Sequence, residues 1–315
     1  MTFQEPIEKM SGRIRELTLG SGETACTVGG QNALSFYGWE GDMPHPPVIA
    51  MEVYDVAPVG WPESLVTAFG DALSDPAAWA RVCVEKHGAR LICIQLAGTD
   101  PNGEDRSAQE AAETVKAVAD AVDVPLLVYG SGNADKDAEV LKLVAEVMAD
   151  RPCAIGPATE DNYKPIAAAA LAYGHVVIAE TPIDVNMAKQ LNILITQLGL
   201  SADRILMDPS TGAVGYGIEY SFTVSERLRL AALGQNDDMT QMPMICNLGK
   251  EAWRAKEAKT SADEEPAWGD AHKRGVLWEA TTAITMAAGG ADVLVMRHPE
   301  AADLLRQAIN RLTAS

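Results

Sequence analysis

No stretch of about 18 or more apolar residues occurs in this 315-residue chain, and Met1–Gly12 is polar and charged, so neither a membrane span nor a signal peptide is expected. Cysteine is sparse. The five residues (Cys26, Cys83, Cys93, Cys153, Cys246) are an odd number without C-x-x-C spacing, which argues against a disulfide framework and against an iron–sulfur cluster held by this chain. Cys93, Cys153 and Cys246 fall inside predicted strands, where cysteine behaves as a small hydrophobe. Buried free thiols in a reducing, cytoplasmic setting are the expectation. Positive charge is also short: 25 Lys+Arg face 44 Asp+Glu, a formal net charge of −19. Nucleic acid and anionic membranes reward a basic surface and are excluded as partners on that ground.

What is present is a rhythm. Eight β-branched or aliphatic runs, each followed by a helix-like stretch, occupy Val48–Asp55, Ala89–Ala97, Pro125–Gly130, Cys153–Gly156, His175–Glu180, Arg204–Asp208, Met242–Asn247 and Ala291–Arg297. Strands alternating with helices build a parallel sheet, and eight units in about 270 residues predict an α/β fold of the (β/α)8 TIM-barrel type, with residues 48–315 as the barrel. Residues 1–47 precede it. Two strand-like pieces, Ile14–Leu19 and Ala25–Val28, flank the turn-former Gly20-Ser-Gly22 and predict a hairpin extension capping the barrel's N-terminal mouth.

Helix punctuation supports the pattern. Asp75-Pro76, Thr181-Pro182 and His298-Pro299 each place a capping residue before a proline. Ser107-x-x-Glu110 has capping-box spacing, and Gly88, Gly199 and Gly234 stand where left-handed helix ends are expected. In helix 184–198, Val185, Ala188, Leu191 and Ile195 share one face. One segment breaks the rhythm: the long insertion Gly249–Gly275 after the seventh strand, far above the usual connection of about 2–6 residues. Trp253 and Trp268 lie in it and are expected to form a contact surface for a partner, although a self-packed loop is an equal reading.

In a barrel, function sits on the loops that leave the C-terminal ends of the strands. Those ends carry Asp55, Gly98-Thr99-Asp100, Gly130–Asn133, Thr159–Asn162, Glu180-Thr181, Asp208–Gly212, Asn247-Leu-Gly249 and Arg297-His298. No two histidines gather with a carboxylate on neighbouring strand ends, so no metal site is expected. No lysine ends a strand, which disfavours Schiff-base chemistry. The inventory of hydroxyls, amides and glycines suits hydrogen bonding to a large amide-rich ligand and offers no evident nucleophile or catalytic residue. The loop DPSTGAVGYGIEYSF (208–222) is the most distinctive. Gly212, Gly215 and Gly217 allow close backbone approach, but the spacing is neither a dinucleotide fingerprint nor a P-loop. Asp270-Ala-His272-Lys-Arg-Gly275 spells D-x-H-x-x-G, the string that carries the cobalt-ligating histidine in many cobalamin proteins. Its place in the insertion, with no Ser-x-Leu downstream, makes the match a coincidence.

Together VGGQNALSFYGWEGDMPHPPVIAMEVYDVAPVGWP (28–62), DNYKP (161–165), AKQLNILI (188–195), DPSTGAVGYGIEYSF (208–222), LGKEAWRAKEA (248–258), RGVLWEATTA (274–283) and MRHPEA (296–301) closely resemble the small (delta) subunit of the corrinoid/iron–sulfur protein of the carbon monoxide dehydrogenase/acetyl-CoA synthase (Wood–Ljungdahl) system. The resemblance implies a heterodimer with a large subunit that supplies a 4Fe–4S cluster and a mobile corrinoid-binding domain. It implies a barrel whose C-terminal face caps the cobamide while a methyl group passes from methyltetrahydrofolate, through a separate methyltransferase, to acetyl-CoA synthase. The strand-end residues expected to meet such a shared corrinoid are Thr99, Asp100, Ser131, Asn133, Thr159, Asn162, Thr181, Asp208, Ser210, Thr211, Gly212, Gly215, Asn247 and Arg297. Two alternatives stay open: a methyltetrahydrofolate-binding methyltransferase in which Asp208 and Asn247 hold the pterin, and a scaffold subunit that touches neither ligand.

Overall fold

The computed structural model describes residues 6–314. Eight parallel strands follow the hairpin strands β1 (Leu17–Leu19) and β2 (Cys26–Val28): β3 (Val48–Tyr54), β4 (Leu91–Gln95), β5 (Leu126–Tyr129), β6 (Ala154–Ala158), β7 (Val176–Glu180), β8 (Ile205–Asp208), β9 (Ile245–Cys246) and β10 (Val293–Met296). They pair in the order β8-β7-β6-β5-β4-β3-β10-β9, and a parallel bridge from Met207 to Met244 closes the ring. The expected (β/α)8 barrel is the fold observed.

The strands read as continuous apolar runs because both faces are buried. In β4, Leu91 and Cys93 point into the barrel interior, whereas Ile92 and Ile94 pack under the helices. The surrounding helices are α1 (Glu63–Phe69), α2 (Pro76–Glu85), α3 (Ala108–Ala121), α4 (Ala134–Val147), α5 (Tyr163–Tyr173), α6 (Val185–Gln197), α7 (Ile218–Leu233), α8 (Leu248–Ala252), α9 (Lys256–Lys259), α10 (Ala271–Ala288) and α11 (Pro299–Thr313). Among the described residues no helix is long and apolar enough to cross a membrane. All five cysteines are free and buried.

The β1–β2 hairpin joins the interior layer: Leu17, Leu19, Cys26 and Val28 pack with Leu91, Leu127, Leu206 and Val293. Thr24 donates to the Asp123 carbonyl and Arg15 N–H to Gln241, both just ahead of barrel strands, so the hairpin sits at the N-terminal mouth. A buried knot locks it there. Asp292 accepts from Gln31 Nε2 at 2.8 Å and the Met244 N–H at 2.7 Å, and it pairs with Arg229.

Three local expectations need correction. Asp184, not Thr181, caps α6, accepting the Asn186 and Met187 N–H groups, because the chain turns once more after Pro182. Gly234 ends α7 at φ −77, whereas Gly88 and Gly199 do take positive φ. The insertion is not wholly a loop: it carries the short helices α8 and α9, residues 260–270 hold only a 3-10 turn, and α10 starts at its end.

Candidate functional site

The parallel register sets Glu180 beside Asp208 on the floor of the C-terminal mouth. Asp208 is buried. Its Oδ2 accepts the Tyr129 hydroxyl at 2.8 Å and its Oδ1 the Ser210 N–H at 3.0 Å. Burial raises both carboxyl pKa values, and the Asp208 charge raises that of Glu180 further, while Lys250 lowers it. Two carboxylates this close in a desolvated floor retain a proton between them near neutral pH. Beside them Gln95 Nε2 donates to Asn247 Oδ1 at 3.0 Å, and Thr211 Oγ1 to the Asn247 carbonyl at 3.0 Å. The floor is therefore a set of amide, phenol and carboxyl groups with no activated nucleophile.

Much of the rim is spent on its own backbone. Asp137, in the first turn of α4, accepts from Ser131 N–H (2.7 Å), Ser131 Oγ (3.1 Å) and Gly132 N–H (2.9 Å). A Cβ on Gly130 would meet Asp137 Oδ1 at 2.2 Å, so only glycine fits there. Asn133 caps α4. Asn162 Oδ1 accepts the Thr159 N–H at 2.7 Å, and Asp100 accepts the Asn102 N–H at 2.9 Å. Thr99 is fully buried and donates to the Leu96 carbonyl at 2.8 Å. Its hydroxyl has no path to a ligand in the mouth, which removes it from the expected corrinoid contacts. Asn162 is likewise buried and holds the rim turn, although its side chain borders a cavity.

Six of the candidates line two hollows. Thr159, Asn162, Thr181 and Ser210 line a cavity of about 570 Å³ together with Glu180; the buried Thr181 hydroxyl has no partner, and Ser210 adopts φ 62. Gly215 and Trp268 line a second hollow of about 700 Å³ between the loop after β8 and α10, with Lys273, Leu277 and Trp278. Gly212 is exposed at the rim, its N–H donating to Ser210 Oγ at 3.2 Å. Tyr216, in the same loop, is 94% exposed, and Tyr220 and Leu277 are exposed nearby in the chain or along that hollow.

Two further residues depart from expectation. Arg297 is 4% exposed and consumed internally. Its Nε pairs with buried Glu52, its Nη2 donates to Tyr54 Oη at 2.8 Å, and its guanidinium lies 4.3 Å from the Trp61 ring centre. It braces the wall and presents nothing to a ligand. Trp253 is 3% exposed, so it is not a contact surface. Its Nε1 donates to Glu279 Oε2 at 2.7 Å, and Glu279 also accepts the Arg297 and His298 N–H groups. Burial pushes the Glu279 carboxyl up to about 7 against the pull of these donors. Trp268 remains 40% exposed.

The D-x-H-x-x-G string is a helix start: Asp270 caps α10 by accepting the Lys273 N–H, and a Cβ on Gly275 would strike Trp253 at 2.5 Å. However, the fold brings His272 to His298 and Glu300, with one ligand atom from each within 4.8 Å of the others. Strand-end counting misses this group because His272 comes from the first turn of α10. The paired carboxyls Glu180 and Asp208 do end predicted strands, and the neighbouring order of those strands was the available signal.

A model of the family described as CO dehydrogenase/acetyl-CoA synthase delta subunit matches residues 16–311. The chain is 41% identical over 307 residues to the acetyl-CoA decarbonylase/synthase complex subunit delta of Methanothermobacter thermautotrophicus, covering 97% of this chain and 77% of that one. It is 38% identical over 322 residues to the corresponding subunit of Archaeoglobus fulgidus, covering 98% and 71%. Among solved structures it is similar to dihydropteroate synthases from Xanthomonas albilineans (TM-score 0.56, 16% identity, 89% of this chain and 97% of that one) and Yersinia pestis (TM-score 0.57, 15% identity, 87% and 94%). At such identity the likeness establishes the barrel fold alone.

Proposed function

Since the chain belongs to the CO dehydrogenase/acetyl-CoA synthase delta subunit family, we propose that it is the barrel half of a corrinoid/iron–sulfur protein, capping a cobamide that a large subunit holds. The observation that carries this reading is the uncovered surface beside the mouth. Tyr216 (94% exposed), Tyr220, Trp268 and Leu277 are left exposed at or near a glycine-rich loop, with the Arg274 guanidinium 5.5 Å from the Trp268 ring centre. Aromatic side chains beside flexible backbone suit a flat macrocycle with peripheral amides or the chain that carries it. The metal–carbon chemistry belongs to the cofactor, and the barrel's part is to exclude water and orient the ring. The 4Fe–4S cluster, the methyltransferase and acetyl-CoA synthase are other chains in this scheme, and all five thiols here are buried away from such a role. Tyr216→Ala and Trp268→Ala together should weaken cobamide retention by the heterodimer. Unchanged retention and unchanged subunit association in that variant would remove the capping face from this surface.

A second reading has its own support. The Glu180–Asp208 pair, Tyr129 and the Gln95–Asn247 amides form a floor able to hydrogen-bond a nitrogen heterocycle, which a corrin cap does not need. Single-turnover methylation of cob(I)alamin by the purified chain separates the two. A cap gives no transfer without an added methyltransferase, and Asn247→Ala changes only cobamide affinity, by a few-fold, as a lost hydrogen bond worth about 0.5–1.5 kcal/mol would. Transfer by the chain alone, slowed about 10²–10³-fold by Asn247→Ala, would make it the methyltransferase.

A further inference from the structure

The cavity of about 570 Å³ at the ends of β6, β7 and β8 is lined by acidic side chains and by no lysine, arginine or histidine. Glu180 ends β7 beside Asp208, and its carboxyl has neither a hydrogen-bond nor an ion-pair partner among the described residues. Thr181 follows it, its N–H donating to the Asp208 carbonyl at 3.0 Å. Thr181 is 5% exposed on the cavity wall, and its hydroxyl oxygen is buried without a partner. Ser210 closes the same side, and its Oγ accepts the Gly212 N–H at 3.2 Å, which leaves a second lone pair. Leu191 and Leu194 of α6 form an apolar wall, and the exposed Glu160 and Asp161 stand at the rim.

We propose that this cavity is a binding site for a primary alkylammonium group on an apolar stem, the chemistry of a lysine side chain or of a free alkylamine. An ammonium is a compact charge with three rotatable donors. Glu180, Thr181 and Ser210 offer it three acceptors from the ends of two neighbouring strands. Its stem lies along the leucine wall, as lysine stems do on apolar surfaces. Anions find no counter-charge in this lining, and the net charge of −19 draws cations toward the protein.

The charges around Glu180 agree with this choice. Burial first, and then Asp208, push its carboxyl up to about 8, as expected of an acid with no cation in contact. Asp137 on α4 and Glu251 on α8 act in the same direction. Lys250 on α8 opposes them, but it is exposed and forms no ion pair with Glu180. Asp137 is not a competing acceptor, since its oxygens are taken by the Ser131 and Gly132 N–H groups.

The test titrates the full chain with n-butylammonium, and with 1-butanol as its neutral counterpart, by ligand-detected NMR. One saturable ammonium site and at least about tenfold weaker binding of the alcohol are expected, because hydrogen bonds to charged groups are the stronger kind. Glu180→Gln should weaken ammonium binding at least about tenfold, and Thr181→Val a few-fold. Both changes nearly preserve shape, so the fold should survive, as circular dichroism would verify. Raising the pH from 7 to 9 should tighten ammonium binding in wild type, where Glu180 gives up its proton while the amine keeps its own, and not in Glu180→Gln. Butanol bound as tightly as butylammonium, an affinity indifferent to Glu180→Gln or to pH, or no saturable binding would overturn the assignment. A second arm identifies the source of the group. Association of Glu180→Gln with the large subunit weakened about tenfold assigns it to a lysine of that chain, and unchanged association assigns it to a free alkylamine. That arm rests on the proposed heterodimer; the butylammonium titration does not, so failure of either is visible without the other.

Discussion

Arg297→Met offers the sharpest test of the wall described above. Glu52 is fully buried; one of its oxygens pairs with Arg297 Nε and the other, Oε1, has no partner. Methionine replaces the arginine stem but strands this carboxylate in an apolar setting. Breaking a buried pair by removing one partner costs about 3–5 kcal/mol. Loss of the cation over Trp61 (4.3 Å) and of the donor to Tyr54 Oη adds to it. Removing both charges is a different perturbation, because a well-packed apolar pair is often neutral relative to a buried ion pair. Glu52→Met/Arg297→Met should therefore lie within about 1 kcal/mol of wild type, roughly 2–4 kcal/mol more stable than Arg297→Met alone. Urea unfolding followed by circular dichroism and Trp61-sensitive fluorescence measures all four corners. An Arg297→Met variant within about 1 kcal/mol of wild type, or a double variant no more stable than the single, would refute the reasoning. Under the proposed capping role, the double variant should also leave cobamide retention unchanged, because Arg297 pairs with Glu52 and Tyr54 inside the wall.

Other consequences are open to measurement. Glu180 and Asp208 have raised pKa values in the fold, so the folded state holds protons that the unfolded state has released. Stability should be greatest below the ordinary carboxylate range of about 4 as far as these groups are concerned, and fall as pH rises through their shifted values. Glu180→Gln should flatten that slope in urea titrations between mildly acidic and mildly alkaline pH, and an unchanged slope would show that the pair is not the source. Trp253→Phe deprives Glu279 of one donor and should cost about 1.5–3 kcal/mol, the range for hydrogen bonds to charged groups, read as a shift of the urea midpoint. Expressed alone, the chain should contain no stoichiometric iron; elemental analysis finding about four irons per chain would contradict the placement of the cluster on another subunit.

The barrel is legible in the sequence because a strand buried on both faces must be apolar throughout, and the prolines and caps between strands mark the helices. Cys93 reads correctly as a core residue for the same reason. Where each polar side chain points is less legible. Thr99, Asn133 and Asn162 belong to the residue types that bond readily to nearby backbone, and in this fold each spends a side-chain oxygen that way. Arg297 sits at a strand end as expected, yet its partner Glu52 is 245 residues away, a distance no local pattern encodes. Trp253 looks like an exposed loop residue until α8 and α10 are seen to enclose it with Glu279. The histidine pair belongs to the same class of unreadable contact, since it depends on the angle at which two helices meet.

The knot around Asp292 has a kinetic side. Gln31 reaches its acceptor across 261 residues, and the hairpin it belongs to packs on strands from nearly every part of the ring. During synthesis at roughly 5–20 residues per second, Leu17, Leu19 and Val28 therefore wait tens of seconds with no place to bury. Contacts of such long range slow folding, and exposed apolar segments invite association in the meantime. The plug is thus the earliest-made part of the barrel to acquire its final partners, and pulse-labelled hydrogen exchange should find the amides of residues 17–28 gaining protection after those of β4 and β5; earlier protection would mean the hairpin finds a local shelter first.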